Sequence, residues 1–369
     1  MKKKLASCLG RLGHISVKLI TVAFVFLSTP YIVFAQTAYS GTSPAGIDKA
    51  DDTYSQNLAF LEGDTVDTQS EILIGAQVMA PFMRSTVMIR PQIGAPDNTC
   101  SGALIAPNVV VSAAHCYDLG VARRGSRVFV GDNKFVKKWE KIAAPRSLWV
   151  KEAKKYSDPS IDLLLLRLDR NVPDIVKPVQ LATPEDLSAA RAMRAVGFGY
   201  TEDGSLNEKV EADIAIASTN CAAQTTAGSS HSDYFGCLAG KELVGGVVRP
   251  KSELEIMQIC KARSDDPSLW TEDKSLDKLC ADTCNGDSGG PAFVPPASHS
   301  TNVQDYQSTF KSPENFRIVA VTSRAVDTEL VPAWMTREGR MCGNGGIYTL
   351  IQGKELEWVK NVVAEWQLD

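Results

Sequence analysis

The chain has 369 residues, of which 44% are hydrophobic and 22% charged, the balance of a folded protein and not of one disordered throughout. Its 39 Lys and Arg against 43 Asp and Glu leave a formal charge of −4, which excludes the basic field that holds nucleic acid. Four histidines, His14, His115, His231 and His299, are too few for an extensive metal cluster.

In chain order, the first feature is a leader. Lys2, Lys3, Lys4, Arg11 and Lys18 precede the first carboxylate, Asp48. An apolar run from Leu19 to Phe34 follows, interrupted by Ser28, Thr29 and Pro30, and Val33-Phe34-Ala35 closes it with small residues. A basic start, a short apolar core and a small-residue exit predict a secretory signal peptide over 1–35. Its removal takes away Cys8 and leaves eight of nine cysteines, an even number for an oxidising compartment, which predicts four disulfides. No later stretch approaches the roughly 18 apolar residues of a membrane span, so no membrane association is expected after the leader is gone. Residues 36–71 carry seven carboxylates against Lys49 alone and read as a flexible acidic segment.

From Ile72 onward, short β-branched or aliphatic runs alternate with turn residues. Ser85–Ile89, Ala103–Ile105, Val109–Ser112, Val128–Val130, Leu163–Leu166, Arg194–Phe198, Ile318–Thr322 and Gly346–Ile351 are such runs, and Pro107-Asn108 and Asp203-Gly204 are typical turns between them. This punctuation predicts an all-β sandwich or barrel pair. Lys354–Trp366 is the exception, because Leu356, Val359, Val362, Val363 and Trp366 recur at helical spacing.

Three segments carry chemistry. Cys100-Ser101-Gly102 and Ser112-Ala113-Ala114-His115-Cys116 flank the Pro107-Asn108 turn, which brings the two cysteines together and fixes His115 beside them as a candidate base. Asp162 opens the apolar run Leu163–Leu166, where a carboxylate tends to be buried and then needs a partner such as an imidazole. Asp158, its neighbour, is followed by Pro159 and has no apolar strand behind it. Asp282-Thr283-Cys284-Asn285-Gly286-Asp287-Ser288-Gly289-Gly290-Pro291 places glycines on both sides of a serine, permitting a tight turn whose N–H groups converge on one point.

Histidine, aspartate, then serine is the chain order of one of the known serine-hydrolase folds. On Ala-Ala-His-Cys and Gly-Asp-Ser-Gly-Gly-Pro, in that order, the chain resembles the trypsin-like serine endopeptidases over about residues 72–369. The resemblance implies two packed antiparallel six-stranded β-barrels with a C-terminal helix: barrel one over about 72–178, barrel two over about 179–352 and the helix over about 354–366. It implies Ser288 as nucleophile, His115 as general base and acid, Asp162 as the group that orients the imidazole, and the N–H groups of Gly286 and Ser288 as the oxyanion hole. It further implies Asp282, Ser323, Ala325 and Gly346 as substrate-binding positions, with the acid at 282 favouring Arg or Lys before the scissile bond. Arg324 departs from the pattern where an aromatic is usual, and Ala325 where glycine is usual.

The same resemblance implies the bridges Cys100–Cys116 and Cys284–Cys342. It favours Cys260–Cys280, leaving Cys221–Cys237, although spacing alone allows three connectivities among those four. A metal site is not expected, since Cys280-x-x-x-Cys284 lacks the usual spacing, and the chemistry calls for no cofactor. The expected partners are protein or peptide substrates and an activating protease, and the expected state is a monomer. Activation is expected to free an apolar N-terminus at Ile72 whose ammonium pairs with Asp287, making 36–71 a pro-segment. No Lys or Arg lies between Lys49 and Ile72, so another protease is expected to make the cut. The competing readings are a catalytically silent binding module that keeps the fold, and a protease of non-basic specificity. N-terminal sequencing of the active form is expected to begin at Ile72; a start at Gln36 would remove the activation reading.

Overall fold

The computed structural model describes residues 76–77, 81–91, 98–130, 148–174, 176–200, 206–222, 235–246, 282–297, 315–326 and 345–368. The leader 1–35, the acidic segment 36–71, Ile72, Cys260, Cys280 and Cys342 lie outside the described residues. After a two-residue strand, β1 (Ala76–Gln77), six strands close a first barrel: β2 (Thr86–Arg90), β3 (Cys100–Ala106), β4 (Val109–Ser112), β5 (Arg127–Val130), β6 (Leu148–Lys155) and β7 (Leu164–Leu168). Their order around the barrel is β2-β3-β4-β7-β6-β5, and β5 pairs back onto β2 with Met88 opposite Phe129. Pro107-Asn108 is the turn between β3 and β4, as expected.

The later strands are β8 (Gln180–Leu181), β9 (Ala192–Gly197), β10 (Val210–Ser218), β11 (Glu242–Gly245), β12 (Pro291–Val294), β13 (Arg317–Ala325) and β14 (Gly346–Leu350). Six of them form a second ring, β9-β10-β11-β14-β13-β12, with β12 returning to β9. The fold is therefore the pair of closed six-stranded antiparallel barrels that the resemblance implies. β8 pairs parallel with β13, and β1 pairs with β10 through Ala76 opposite Glu211. The chain thus spends β1 on the second barrel, although 76–77 precede the whole of the first.

The apolar run at Leu163–Leu166 is continuous because the strand is buried on both faces. Leu164, Leu166 and Leu168 pack with Val87, Ile89 and Val128 inside the first barrel. Leu163 and Leu165 share a second core with Val196, Phe293, Val359 and Trp366. Alternate side chains along one strand therefore serve the barrel interior and the junction with the second barrel.

The described residues also include a 3-10 turn (Pro81–Ser85) and the α-helices α1 (Ala114–Asp118), α2 (Pro184–Ala189) and α3 (Gly353–Leu368). α3 extends slightly beyond the predicted 354–366 and buries Val359, Val362 and Trp366. Its end is tied down by Arg167, whose Nη2 donates to the Trp366 carbonyl at 2.9 Å, and Trp358 meets Tyr156 edge to face at 5.2 Å. Among the described residues no helix is long and apolar enough to cross a membrane. Trp366 is fully buried in the junction core, so Trp366→Ala is expected to destabilise the protein by about 3–5 kcal/mol in denaturant unfolding. A loss below about 1 kcal/mol would mean that the helix is not docked in this way.

Candidate active site

The two strands around Pro107-Asn108 end at Ser112, and the chain turns at once into the one-turn helix α1. The disulfide Cys100–Cys116, with Cα atoms 6.3 Å apart, clamps this helix back onto β3 and so fixes His115. His115 therefore sits in the first turn of a short helix and not at the strand end itself. Asp162 immediately precedes the Leu163–Leu166 run and reaches His115 twice. Its Oδ2 lies 2.7 Å from Nδ1 of the ring, and its Oδ1 accepts the His115 backbone N–H at 2.8 Å.

An ionised carboxylate only accepts, so Nδ1 is the donor in this contact, and in the neutral ring Nε2 is the nitrogen without a proton. Burial raises the Asp162 pKa, but the His115 hydrogen bond, the histidine's charge, the Ser323 hydroxyl and the His115 backbone N–H outweigh it. Asp162 is held below the ordinary carboxylate value and remains charged. Ser323 supplies one of those donors, its Oγ donating to Asp162 Oδ2 at 2.7 Å. Asp158, the rival acid, is exposed and accepts instead from the backbone N–H and hydroxyl of Ser160.

Ser288 is half-buried in the loop before β12. Its carbonyl accepts the Ser101 backbone N–H at 2.8 Å and lies 3.6 Å from Cys116 Sγ, which is itself 4.0 Å from His115 Nε2. The serine loop and the imidazole thus meet on the same disulfide. Among the described residues Ser288 Oγ makes no hydrogen bond, so a proton transfer to Nε2 requires the hydroxyl to turn and close on the ring.

Within the loop, Asp287 N–H donates to the Cys284 carbonyl, Gly289 N–H to Thr322 and Gly290 N–H to Asp287. The N–H groups of Gly286 and Ser288 make no hydrogen bond to another described residue. Gly286 has φ +100°, which a side chain rarely tolerates, and its carbonyl is held by the Ser101 hydroxyl at 2.9 Å. That hydroxyl also accepts the Phe198 N–H at 3.0 Å, making Ser101 a brace from β3 to the serine loop.

Asp287 is fully buried against Gly197 and Gly199; a Cβ added at Gly199 would lie 2.6 Å from its Cγ. Its carboxylate accepts the Gly199 and Cys284 N–H groups, each at 2.8 Å. Burial exceeds the effect of those bonds and pushes its pKa up to about 6. Asp282 is buried too, accepting the Thr283 N–H at 2.7 Å and the Gly345 N–H at 3.1 Å. Gly346 lies beside Tyr348, against whose hydroxyl an added Cβ would come within 2.7 Å. Ala325 stands opposite Gly346 at the end of β13.

Cys221 and Cys237 are bridged, with Cα atoms 6.1 Å apart. Cys284 is disulfide-bonded to a cysteine outside the described residues. The cluster Cys100, His115 and Cys116 brings donor atoms together, but both sulfurs are in the disulfide and do not serve as thiolate ligands.

Sequence reasoning did not find Ser101 as a brace, nor Ser323 as the third donor to Asp162. It also missed Glu242, which pairs with Arg324 at 2.6 Å. Its only signal was a carboxylate in an otherwise apolar strand, Glu242-Leu243-Val244-Gly245, where a buried charge demands a partner.

Residues 78–245 match the family model described as Trypsin. Two curated relatives from Mus musculus are kallikrein 1-related peptidase b24, 36% identical over 114 residues, and kallikrein 1-related peptidase b27, 34% identical over 117. Each alignment covers 27% of this chain and 42% of the relative, so the chain spans less than half the length of the curated relatives it matches. Among solved structures, neuropsin, a serine protease expressed in the limbic system of mouse brain, aligns over 78% of this chain and 98% of its own, at 20% identity and a TM-score of 0.46. The fold assignment rests on the two closed barrels themselves. The two closed six-stranded barrels are the architecture of the chymotrypsin-type fold. Over residues 78–245, a little under half of its length, the chain is similar to that family.

The buried Asp287 carboxylate has a consequence for pH. Its raised native pKa means that the folded chain holds this proton more tightly than the unfolded one, so the stabilisation is full below about pH 4 and is lost as pH rises through about 6. Relative to Asp287→Asn, the full-length wild type is expected to lose about 3 kcal/mol of unfolding free energy across that window. A difference that stays constant with pH would contradict this.

Proposed function

We propose that this protein is a secreted serine endopeptidase that cleaves protein or peptide substrates through an acyl-enzyme intermediate. The observation that carries the reading is the His115–Asp162 pair beside the Ser288 loop, with the bare Nε2 facing that side. Ser288 Oγ attacks the scissile carbonyl while His115 Nε2 takes its proton, and His115 then returns the proton to the leaving amine. Asp162 keeps the ring oriented and stabilises the imidazolium that forms. The carbonyl oxygen, now an oxyanion, is received by the N–H groups of Gly286 and Ser288, a donor pair with no competing acceptor among the described residues. Water attacks the acyl-enzyme by the same route in reverse.

Asp282 is the acid proposed to select Arg or Lys at the residue before the scissile bond, with Ser323, Ala325 and Gly346 as its surroundings. One observation favours a second reading of specificity. Both Asp282 oxygens already accept backbone N–H groups, and the side chain is almost wholly buried. Selection of a basic side chain therefore needs the pocket to open, which we assign to activation: cleavage at Glu71–Ile72, with the new ammonium replacing the two backbone donors as the main partner of Asp287. The leader supports secretion, and the enzyme is proposed to act as a monomer without a cofactor.

Fluorophosphonate labelling of the processed protein, abolished in Ser288→Ala together with a loss of kcat on the order of 10⁶-fold, is the expected result. No labelling in wild type would favour a silent binding module, and labelling that persists in the variant would show that Ser288 is not the nucleophile. In a peptide library, wild type is expected to prefer Arg and Lys before the cut and Asp282→Ser to lose that preference. A wild-type preference for small or apolar residues would remove the basic assignment and leave the protease reading in place.

A further inference from the structure

Beyond Val321, β13 has a strand neighbour on one side only among the described residues. Pro291 of β12 stops opposite Val321, whereas β14 continues past it, with Arg324 opposite Ile347 and Ala325 opposite Gly346. Thr322 is still engaged by the serine loop, its N–H donating to Gly290 and its carbonyl accepting Gly289. Ser323–Ala325 is therefore the first stretch of β13 whose edge on the Ser288 side carries no strand among the described residues. An extended substrate whose scissile carbonyl sits at Ser288 lies along this edge with the residues preceding the cut.

The side chains on this edge point to different partners. Ser323 is bonded to Asp162, whereas Arg324 reaches Glu242 on β11. The pair is bidentate: Arg324 Nη1 donates to Oε1 at 2.6 Å and Nη2 to Oε2 at 2.9 Å, while Nη2 also donates to the Gly236 carbonyl at 3.0 Å. The Arg324 side chain is 42% exposed, but its anion is not, at 1%. Glu242 Oε2 is held in addition by the Leu238 N–H at 2.7 Å. The carboxylate is thus sealed behind the guanidinium, and what the substrate edge meets is the cation, held in one orientation by its buried partner. Among the described residues Arg324 Nε–H has no acceptor.

Resting on the protease reading above, we propose that Arg324, fixed by Glu242, is a specificity determinant that takes an acidic side chain of the substrate within the three residues preceding the basic one. A carboxylate there meets the Nε–H and the exposed positive edge of a guanidinium that its other bonds already hold in place, and a Lys or Arg side chain in the same position meets that positive edge. Because the site is half-open to water, the discrimination is modest and sensitive to salt.

The test uses the processed enzyme and a peptide library with Arg before the scissile bond and each of the three preceding positions varied. At one of those positions, kcat/KM for Asp or Glu is expected to exceed that for Lys or Arg by about 3- to 10-fold. The ratio is expected to shrink as salt rises from about 0.05 M to about 0.5 M. In the double variant Arg324→Gln with Glu242→Gln, which removes both charges and leaves no buried ion unpaired, the ratio is expected to fall to about one. The comparison is made within each protein, so a change in overall rate does not affect it, and the salt series tests the wild type alone. Equal rates for acidic and basic residues in an active, fluorophosphonate-labelled wild type overturn this proposal and leave the protease reading standing. The same ratio in the double variant as in wild type also overturns it. A wild type that takes no label and cuts no peptide overturns both.

Discussion

One carboxylate, Asp162, is the constraint around which the cleft is built. It is largely removed from water, a position that an ion occupies only when its lone pairs are met. Three donors meet them: the ring and the backbone N–H of His115, from the first barrel, and the hydroxyl of Ser323, from the second. The two barrels are thus joined at the site by a charge that neither satisfies alone. Under the proposed mechanism the same contacts also serve the chemistry, because an acceptor at Nδ1 holds the proton of the neutral ring there and leaves Nε2 as the base.

The serine loop is held by a similar economy of small groups. Ser101 gives its N–H to the Ser288 carbonyl and its hydroxyl to the Gly286 carbonyl, so β3 sets the loop's height relative to α1. The N–H groups of Asp287 and Gly290 are used within the loop and that of Gly289 on β13, whereas those of Gly286 and Ser288, the residues proposed as the oxyanion hole, bond to no described residue. Asp287 lies beneath them as a buried carboxylate with two backbone donors and a raised pKa. A carboxylate held this way favours the arrival of a cation, which gives the activation proposal a physical driving force.

Much of this was legible in the sequence because it depends on local pattern. The Cys100–Cys116 spacing across a Pro-Asn turn, the acid at the head of a leucine run and the glycines about Ser288 each announce a geometry within a few residues. The leucine run read as a strand, and its two buried faces follow from the period of two. What sequence could not supply were pairings between distant segments. Nothing near Ser101 marks it as a brace to a loop 185 residues away, and nothing near Arg324 names Glu242. Arg324 read as a departure from the family pattern beside the pocket, and its guanidinium is bound to a buried carboxylate. The pairing of β1 with β10 also escaped, since two residues carry no periodicity and the partner lies in the other barrel.

The central claim is that Asp162 acts on the chemistry by fixing the imidazole, and not merely by filling space. Its most direct test is the steady-state kinetics of Asp162→Asn on the processed enzyme. The amide keeps the shape of the carboxylate, but it neither fixes the Nδ1 proton nor stabilises the imidazolium. A fall in kcat on the order of 10⁴-fold, with KM changed little, is the predicted result. A kcat within about tenfold of wild type would show that the carboxylate is structural and that the catalytic account is wrong.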